Sequence, residues 1–247
     1  MNRTVCQKIL LVLVKSSSAL VLGCMSPLLL AAPGDLDTSF NPVIPLLGLN
    51  SLGQEQSQGT VVLAQPDGKV LMAENAAVGT NSVFALVRYN LDGSLDASFG
   101  SGGVTDLVTA TPTALLRQSD GKLIVAATGA GGMWVLRYLP DGSLDTAFSG
   151  DGKIVVAGAE TNYEGFSIIE QSDGKIVVAG KCVNGPASLD FYIVRLTSGG
   201  ELDPTFGGDG TVTTDFGTTN DKAFSIIQQG DGKLVAAGVT GFIPESD

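Results

Sequence analysis

From Lys175 the chain reads KIVVAG, and both alternating faces of that run are apolar: Ile176 and Val178 point one way, Val177 and Ala179 the other. A strand wet on one side alternates apolar with polar residues, so two apolar faces predict a sheet covered on both sides. Three further runs rich in β-branched and aromatic residues surround it: FSIIEQ (166–171), FYIVRL (191–196) and TVTTDF (211–216). Gly, Asp, Ser and Pro fill the gaps, and Asp173-Gly174 supplies the residues a tight hairpin needs. The unit therefore reads as four antiparallel strands.

The unit recurs. AQPDGKVLMA begins at Ala64, RQSDGKLIVA at Arg117, EQSDGKIVVA at Glu170 and QQGDGKLVAA at Gln228. Between them a second landmark, Gly-x-Leu-Asp-x-x-Phe, returns as GSLDASF (93–99), GSLDTAF (142–148) and GELDPTF (200–206). Four-stranded sheets sandwiched by copies of themselves at this period predict an all-β array of β-propeller-like blades. A β-solenoid is the competitor, but its repeat is usually shorter and lacks two hairpins per unit. The expected blades occupy residues 60–108, 112–158 and 165–216, with a partial one at 223–247. The combination of QSDGKIVVAG with FALVRYNLDGSLDASFGSGGV (84–104), and their copies, resembles the bacterial delta-60 repeat family, a propeller domain of unknown function. The resemblance covers residues 34–238. It implies a secreted or surface-associated propeller and brings no catalytic residues with it.

The copies are unequal. The Asp-Gly pairs at 67, 120, 173 and 231 lie 53, 53 and 58 residues apart. The middle connection of the second unit, 128–132, is only a Gly-rich turn. The fourth unit has SIIQQ and KLVAAG without counterparts of its third and fourth strands. Conversely, GDLDTSF (34–40), in the segment 32–59, matches the close of a unit with none before it. This arrangement suggests closure between the two ends, with 43–49 adding the last strand to the blade begun at 223. Three blades are whole by this reading, and the arc is either open or closed between its ends. An open arc bares a blade face, and covering about 400 Å² of apolar surface is worth roughly 10 kcal/mol. The expected outcomes are truncation of a longer propeller (favoured), a strained four-bladed ring, or self-association through the uncovered face.

Residues 1–31 read as a cleavable export signal. Arg3 and Lys8 precede apolar stretches at 9–14 and 19–30, and Lys15 with the serines at 16–18 breaks the run. A membrane span prefers about 20 unbroken apolar residues. Ala31 and Ala32 suit a peptidase, and Pro33 favours cutting after Ala31. A lipoprotein through Cys24 is the minor alternative: the preceding LVLG is a loose lipobox, and its bulky Leu22 and the apolar residues after Cys24 count against it. The expected location is periplasmic, cell-surface or secreted, with no membrane span after cleavage. Removing the signal leaves 11 basic residues against 25 acidic ones. That balance argues against nucleic acid, which needs clustered Lys and Arg. Of the three cysteines only Cys182 follows the signal, so no intramolecular disulfide can hold the fold, and a half-buried thiol on a strand is expected.

The chain contains no histidine, which removes the usual general base, the common triads and the commonest zinc ligand. Paired carboxylates could still serve glycoside chemistry, but most Asp recur at the same place in successive units, where turn geometry explains them. The segment RYNLDGSLD (88–96) resembles an acidic calcium loop, yet Arg88 stands where the first carboxylate should be. GGDGTVTTD (207–215) is no stronger. A structural role fits better: Arg88 and Asp96, Arg137 and Asp145, and Arg195 and Asp203 are each eight residues apart, so a hairpin can pair them above Phe99, Phe148 and Phe206. The glutamines at 65, 118, 171 and 229 are expected to close the Asp-Gly turns, and Trp134 to fill a blade core. The Gly-rich stretches 100–103 and 129–132 lack the strand-to-helix context of a phosphate site. No catalytic, cofactor or metal residues are assigned and the binding residues are unknown. The expected function is an exported, non-enzymatic scaffold or interaction module with an unknown protein or surface-glycan partner; the alternative is a glycan-binding or glycan-active envelope protein.

Overall fold

The computed structural model describes residues 57–78, 80–158, 161–184, 188–217 and 220–241. The segment 1–31 expected to be an export signal, Cys24, the motif at 34–40, the strand expected at 43–49 and residues 242–247 lie outside the described residues.

Every described element is a β-strand, and consecutive strands within each blade pair antiparallel. Blade 1 contains β1 (Ser57–Ala64), β2 (Val70–Val78) and β3 (Asn81–Tyr89). Blade 2 contains β4 (Ala110–Arg117), β5 (Leu123–Gly129), β6 (Gly132–Tyr138) and β7 (Lys153–Val156). Blade 3 contains β8 (Thr161–Glu170), β9 (Ile176–Asn184), β10 (Ser188–Leu196) and β11 (Thr211–Thr214). Blade 4 contributes β12 (Lys222–Gln228) and β13 (Leu234–Val239). The expected four-stranded meander is therefore present in blades 2 and 3.

Blade 1 departs from it. Its fourth-strand position is held by two isolated bridges, Val87 with Val104 and Phe84 with Val108. Between them the Leu86 amide donates to the Thr105 hydroxyl (3.0 Å), so a side chain takes the place of a ladder carbonyl. The first blade is thus less regular than the sequence suggests.

The two-faced strands behave as their composition requires. In β9, Ile176 and Val178 join a core with Ile124, Met133 and Val135 of blade 2. Val177 and Ala179 join another with Ala223 and Ile226 of blade 4. Leu71, Ala73, Phe84 and Leu86 of blade 1 meet Leu123, Val125 and Leu136 of blade 2 in the same way. Fully burying each large aliphatic side chain contributes about 1.5–3 kcal/mol, so the inter-blade seams supply most of the driving force.

Each first strand also slips register at an equivalent place: between Gly59 and Val61, Pro112 and Ala114, Gly165 and Ser167, and Ala223 and Ser225, with a second slip in β8 between Thr161 and Glu164. Such a bulge increases local twist, and it accommodates Pro112 inside a strand. Opposite the bulge in blade 3, Gly180 has no room for a side chain, because a Cβ there would collide with the Glu164 carbonyl.

Candidate functional site

The most heavily built polar feature is a charged cluster repeated at the corner of blades 1, 2 and 3. After the third strand, the chain turns and folds back so that Leu95, Leu144 and Leu202 bridge Tyr89, Tyr138 and Leu196. The following aspartate amide donates to the arginine carbonyl eight residues earlier, at 2.8–2.9 Å. This brings the side chains together: Nε of Arg88, Arg137 and Arg195 lies 2.7 Å from Oδ2 of Asp96, Asp145 and Asp203. The expected Arg–Asp pairs are all present. Beneath them lie the phenylalanines, with the guanidinium carbons 4.4, 4.6 and 4.7 Å from the ring centres of Phe99, Phe148 and Phe206.

A third partner joins each pair. Lys69, Lys122 and Lys175, the lysines of the Asp-Gly-Lys landmark, reach the same aspartate oxygens at 2.7, 3.4 and 3.1 Å. The two sequence landmarks thus meet in space. Their parallel recurrence was the available signal; the contact itself needed the fold.

The clusters also join blades. Arg88 Nη1 donates to the Pro140 carbonyl (2.7 Å) and Arg137 Nη1 to the Ser198 carbonyl (2.5 Å), each in the next blade's turn. The amides of Gly100 and Ser149 donate to the adjacent carbonyls, Asp141 and Gly199, at 2.6 and 2.7 Å. Phe99 and Phe148 press against Gly142 and Gly200 of those turns, where φ is +89° and +92° and a side chain would strike the ring. The corners of blades 1 and 2 therefore each grip the following blade by two carbonyls and a glycine.

Burial pushes the Asp96 carboxyl up, but hydrogen bonds from Lys69, Ser98 and Arg88 outweigh it and hold the group well below the usual carboxylate range. At Asp145 burial is likewise outweighed, by the Ala147 amide, Arg137 and Lys122. Asp203 is lowered by the Thr205 hydroxyl first, against burial, with Lys175 and Arg195 assisting.

The acidic loops are engaged locally. Asp92 accepts the Ser94 amide and hydroxyl at 2.9 and 2.6 Å, and Asp209 accepts those of Thr211 at 2.8 and 2.9 Å. The turn expectation for glutamine requires correction. The backbone of Gln65, Gln118, Gln171 and Gln229 closes each turn, but the side chain that does so is the aspartate, Asp67, Asp120, Asp173 or Asp231, accepting the amide two residues on. An i to i+2 side-chain acceptor closes a tight turn without the reach a glutamine would need. Instead Gln118 Nε2 crosses to Glu170 of blade 3 at 2.9 Å, and the Oε1 atoms of Gln65, Gln118 and Gln171 are buried without a partner among the described residues. Trp134 sits half-buried at the edge of a core, its N–H donating to the Ala130 carbonyl (2.9 Å) and Lys153 lying 4.0 Å above its ring. Cys182 is fully buried in the seam between blades 2 and 3, deeper than expected, because β9 is covered on both faces.

One grouping was not foreseen. Carboxylate oxygens of Asp190, Asp215 and Asp221 lie within 4.8 Å of one another where blade 3 meets blade 4. Oxygen-only donors of this kind suit a hard cation. Asp190 already accepts Asn184 Nδ2 (2.8 Å) and the Ser188 hydroxyl (3.0 Å), and Asp221 accepts the Phe216 amide (3.0 Å), so the group ties the blade-3 loops to the start of blade 4. These aspartates occupy no repeated position, which is why the repeat did not reveal them.

Stacked antiparallel four-stranded sheets gripping one another by repeated corners define a β-propeller repeat array. A family model described as a domain of unknown function (DUF5122) beta-propeller matches residues 65–99, 118–148 and 171–206, and the array belongs to that family. Each matched segment runs from the landmark glutamine to the landmark phenylalanine, the span that one Lys–Asp–Arg cluster closes. A search of curated proteins found no match to the chain.

Proposed function

We propose that this β-propeller is an exported, non-enzymatic scaffold or interaction module. One observation carries the reading: the repeated aspartates of the corners and turns are committed to arginine, lysine or turn amides, and so to architecture, while apolar side chains of blade 4 are left at the surface. Export is supported by the basic then apolar character of residues 1–31 and by an acidic surplus confined to the rest. Fractionating a producing bacterium tests export, with the chain expected in the periplasm, envelope or medium and shortened by about 31 residues. Full-length protein retained in the cytoplasm would count against it. Turnover on a panel of chromogenic glycosides, abolished by Asp190→Asn, would replace the scaffold reading with a glycan-active one. The Asp190, Asp215 and Asp221 grouping is the feature that favours this second reading.

A further inference from the structure

The seam between blades 1 and 2 departs from the repeat at one place, and the departure sets a carboxylate where the other blades carry none. Counting on from Phe99, Phe148 and Phe206, the same two positions hold Thr105-Asp106 in blade 1, Ile154-Val155 in blade 2 and Val212-Thr213 in blade 3. In blades 2 and 3 these pairs lie within β7 and β11. In blade 1 the chain bulges: Phe84 and Val87 are three residues apart, whereas their bridge partners Val108 and Val104 are four apart. A bulge re-aims the side chains it carries. Asp106 falls inside this one and is exposed, and among the described residues it enters no ion pair.

A hollow of about 370 Å³ opens there, lined by Ser101, Thr105 and Asp106 of blade 1 and by Asp141, Gly142 and Ser143 of the blade-2 turn. Asp141 gives Oδ1 to the Ser143 amide and hydroxyl (2.9 and 2.6 Å), and no described donor meets its Oδ2. The cation whose charge acts on Asp141 is Arg88, already committed to Asp96, Ser98 and the Pro140 carbonyl. An independent sign comes from Tyr138, 3% exposed in the core between the two blades, whose hydroxyl has no partner among the described residues. Its counterpart Tyr89 donates to Glu74, but in blade 2 the position of Glu74 is held by Ala127. Burial and then the Asp106 charge push the Tyr138 hydroxyl up, which places that hydroxyl behind the acidic wall of the hollow. A buried polar group of this kind is costly until something pairs with it.

We propose that this hollow binds an arginine side chain presented by a partner protein. The planar guanidinium lies between the carboxylates of Asp106 and Asp141, and the hydroxyl oxygens of Ser101 and Tyr138 accept from its remaining N–H groups. A fork of five donors suits acceptors spread around a wall, where an ammonium offers only a point charge. The lining contains no aromatic ring on which a sugar could stack. At the seam between blades 2 and 3 the equivalent positions are Gly150, Ile154 and Val155, so that seam offers no matching carboxylate. The inference rests on the interaction-module reading and names the partner's chemistry.

The test titrates N-acetyl-arginine methylamide into the isotopically labelled full chain and follows the backbone amides of Ser101, Asp106 and Ser143 by NMR. Saturable shifts centred on these amides are expected. Asp106→Asn is expected to weaken binding by about tenfold, the effect of losing a charge-assisted bond. Asp151→Asn, which removes an exposed carboxylate from the next seam's turn, is expected to leave it unchanged. Tyr138→Phe should weaken it by about threefold without lowering the unfolding temperature, since the hydroxyl it removes has no described partner. No saturable shift, or undiminished binding to Asp106→Asn or Tyr138→Phe, overturns the proposal. An equal loss in Asp151→Asn also overturns it, by showing charge attraction without a site. Equal or tighter binding of the lysine analogue removes the guanidinium assignment. Tighter saturation of the same amides by calcium chloride or methyl glucoside overturns it in favour of a metal ion or a saccharide. Export and turnover are read separately by fractionation and glycoside assays, so the broader reading stands or falls on its own.

Discussion

The middle strands of blades 3 and 4 are nearly the same sequence in different surroundings. β9 begins IVVAG and β13 reads LVAAGV. Val177 is 0% exposed and Val235 42%, although they occupy equivalent positions; Ala179 is buried and Ala237 exposed. Ile227 is 57% exposed, where its counterpart Ile169 packs against the seam between blades 3 and 4. A two-faced apolar strand therefore reports a capacity for two neighbours. Whether both are present depends on the rest of the array. The corners teach the same lesson with charges: Lys175 meets Asp203, while among the described residues Lys233 meets only its own turn.

The sharpest way to break this comparison is one carboxylate placed on each strand. Val177→Asp buries an unpaired charge in a dry seam and is expected to cost more than about 4 kcal/mol, enough to prevent folding. Val235→Asp is expected to stay within about 1 kcal/mol. Denaturation in urea measures both, and equal losses would mean that the outer face of blade 4 is covered. Next comes the corner itself. Arg137→Ala leaves Asp145 buried and drops the bond to Ser198, at an expected cost of about 3–5 kcal/mol. Lys233→Ala should change stability by less than about 0.5 kcal/mol. A third pair isolates the inter-blade glycine. Gly200→Ala and Gly232→Ala both suffer a left-handed backbone, at +92° and +87°, but only the first meets a ring, with Phe148 Cδ2 at 2.6 Å against a nearest atom at 3.9 Å. The shared backbone cost is about 1 kcal/mol, and Gly200→Ala should lose about 1–3 kcal/mol beyond it.

Much of this architecture is legible in the residues because repetition multiplies weak signals. Four Asp-Gly pairs at near-constant spacing identify the hairpins, and the eight-residue interval from Arg to Asp identifies the corner. What stays hidden is whatever depends on the third dimension alone. Nothing in Thr105 announces that its hydroxyl would substitute for a strand carbonyl. The bulges fall on Thr60 and Thr113 in two blades and on Phe166 and Phe224 in the others, so no single residue type marks them. The lysine's place in the corner required knowing that the first hairpin and the third-strand hairpin lie side by side. Asp190, Asp215 and Asp221 come from separate stretches and have no repeated counterparts to draw attention to them.

The smallest expected effects separate the corners from blade 1 by the sign of their pH dependence. Asp96, Asp145 and Asp203 have folded-state values below the ordinary 3.8, so their stabilisation is complete above that pH and is lost as pH falls below it. Glu74 runs the other way. It is 2% exposed on the face of blade 1 turned away from blade 2; burial raises its carboxyl above 4.5, and the bond from the Tyr89 hydroxyl (2.7 Å) only partly opposes this. The unfolded chain then gives up the Glu74 proton before the folded one does, so stability declines as pH rises from 4.5 towards the folded value and levels off above it. Glu74→Gln keeps an acceptor for Tyr89 while removing the ionisation, and should flatten this upper limb. Asp145→Asn should flatten part of the lower limb, in addition to the loss from weakening its corner. The two sites lie in different seams, so the double variant should show both changes additively, within about 0.5 kcal/mol. Urea unfolding at half-unit steps from pH 3 to 8 reads both limbs. An upper limb left intact by Glu74→Gln would mean that water or another group ionises that carboxyl freely in the folded chain.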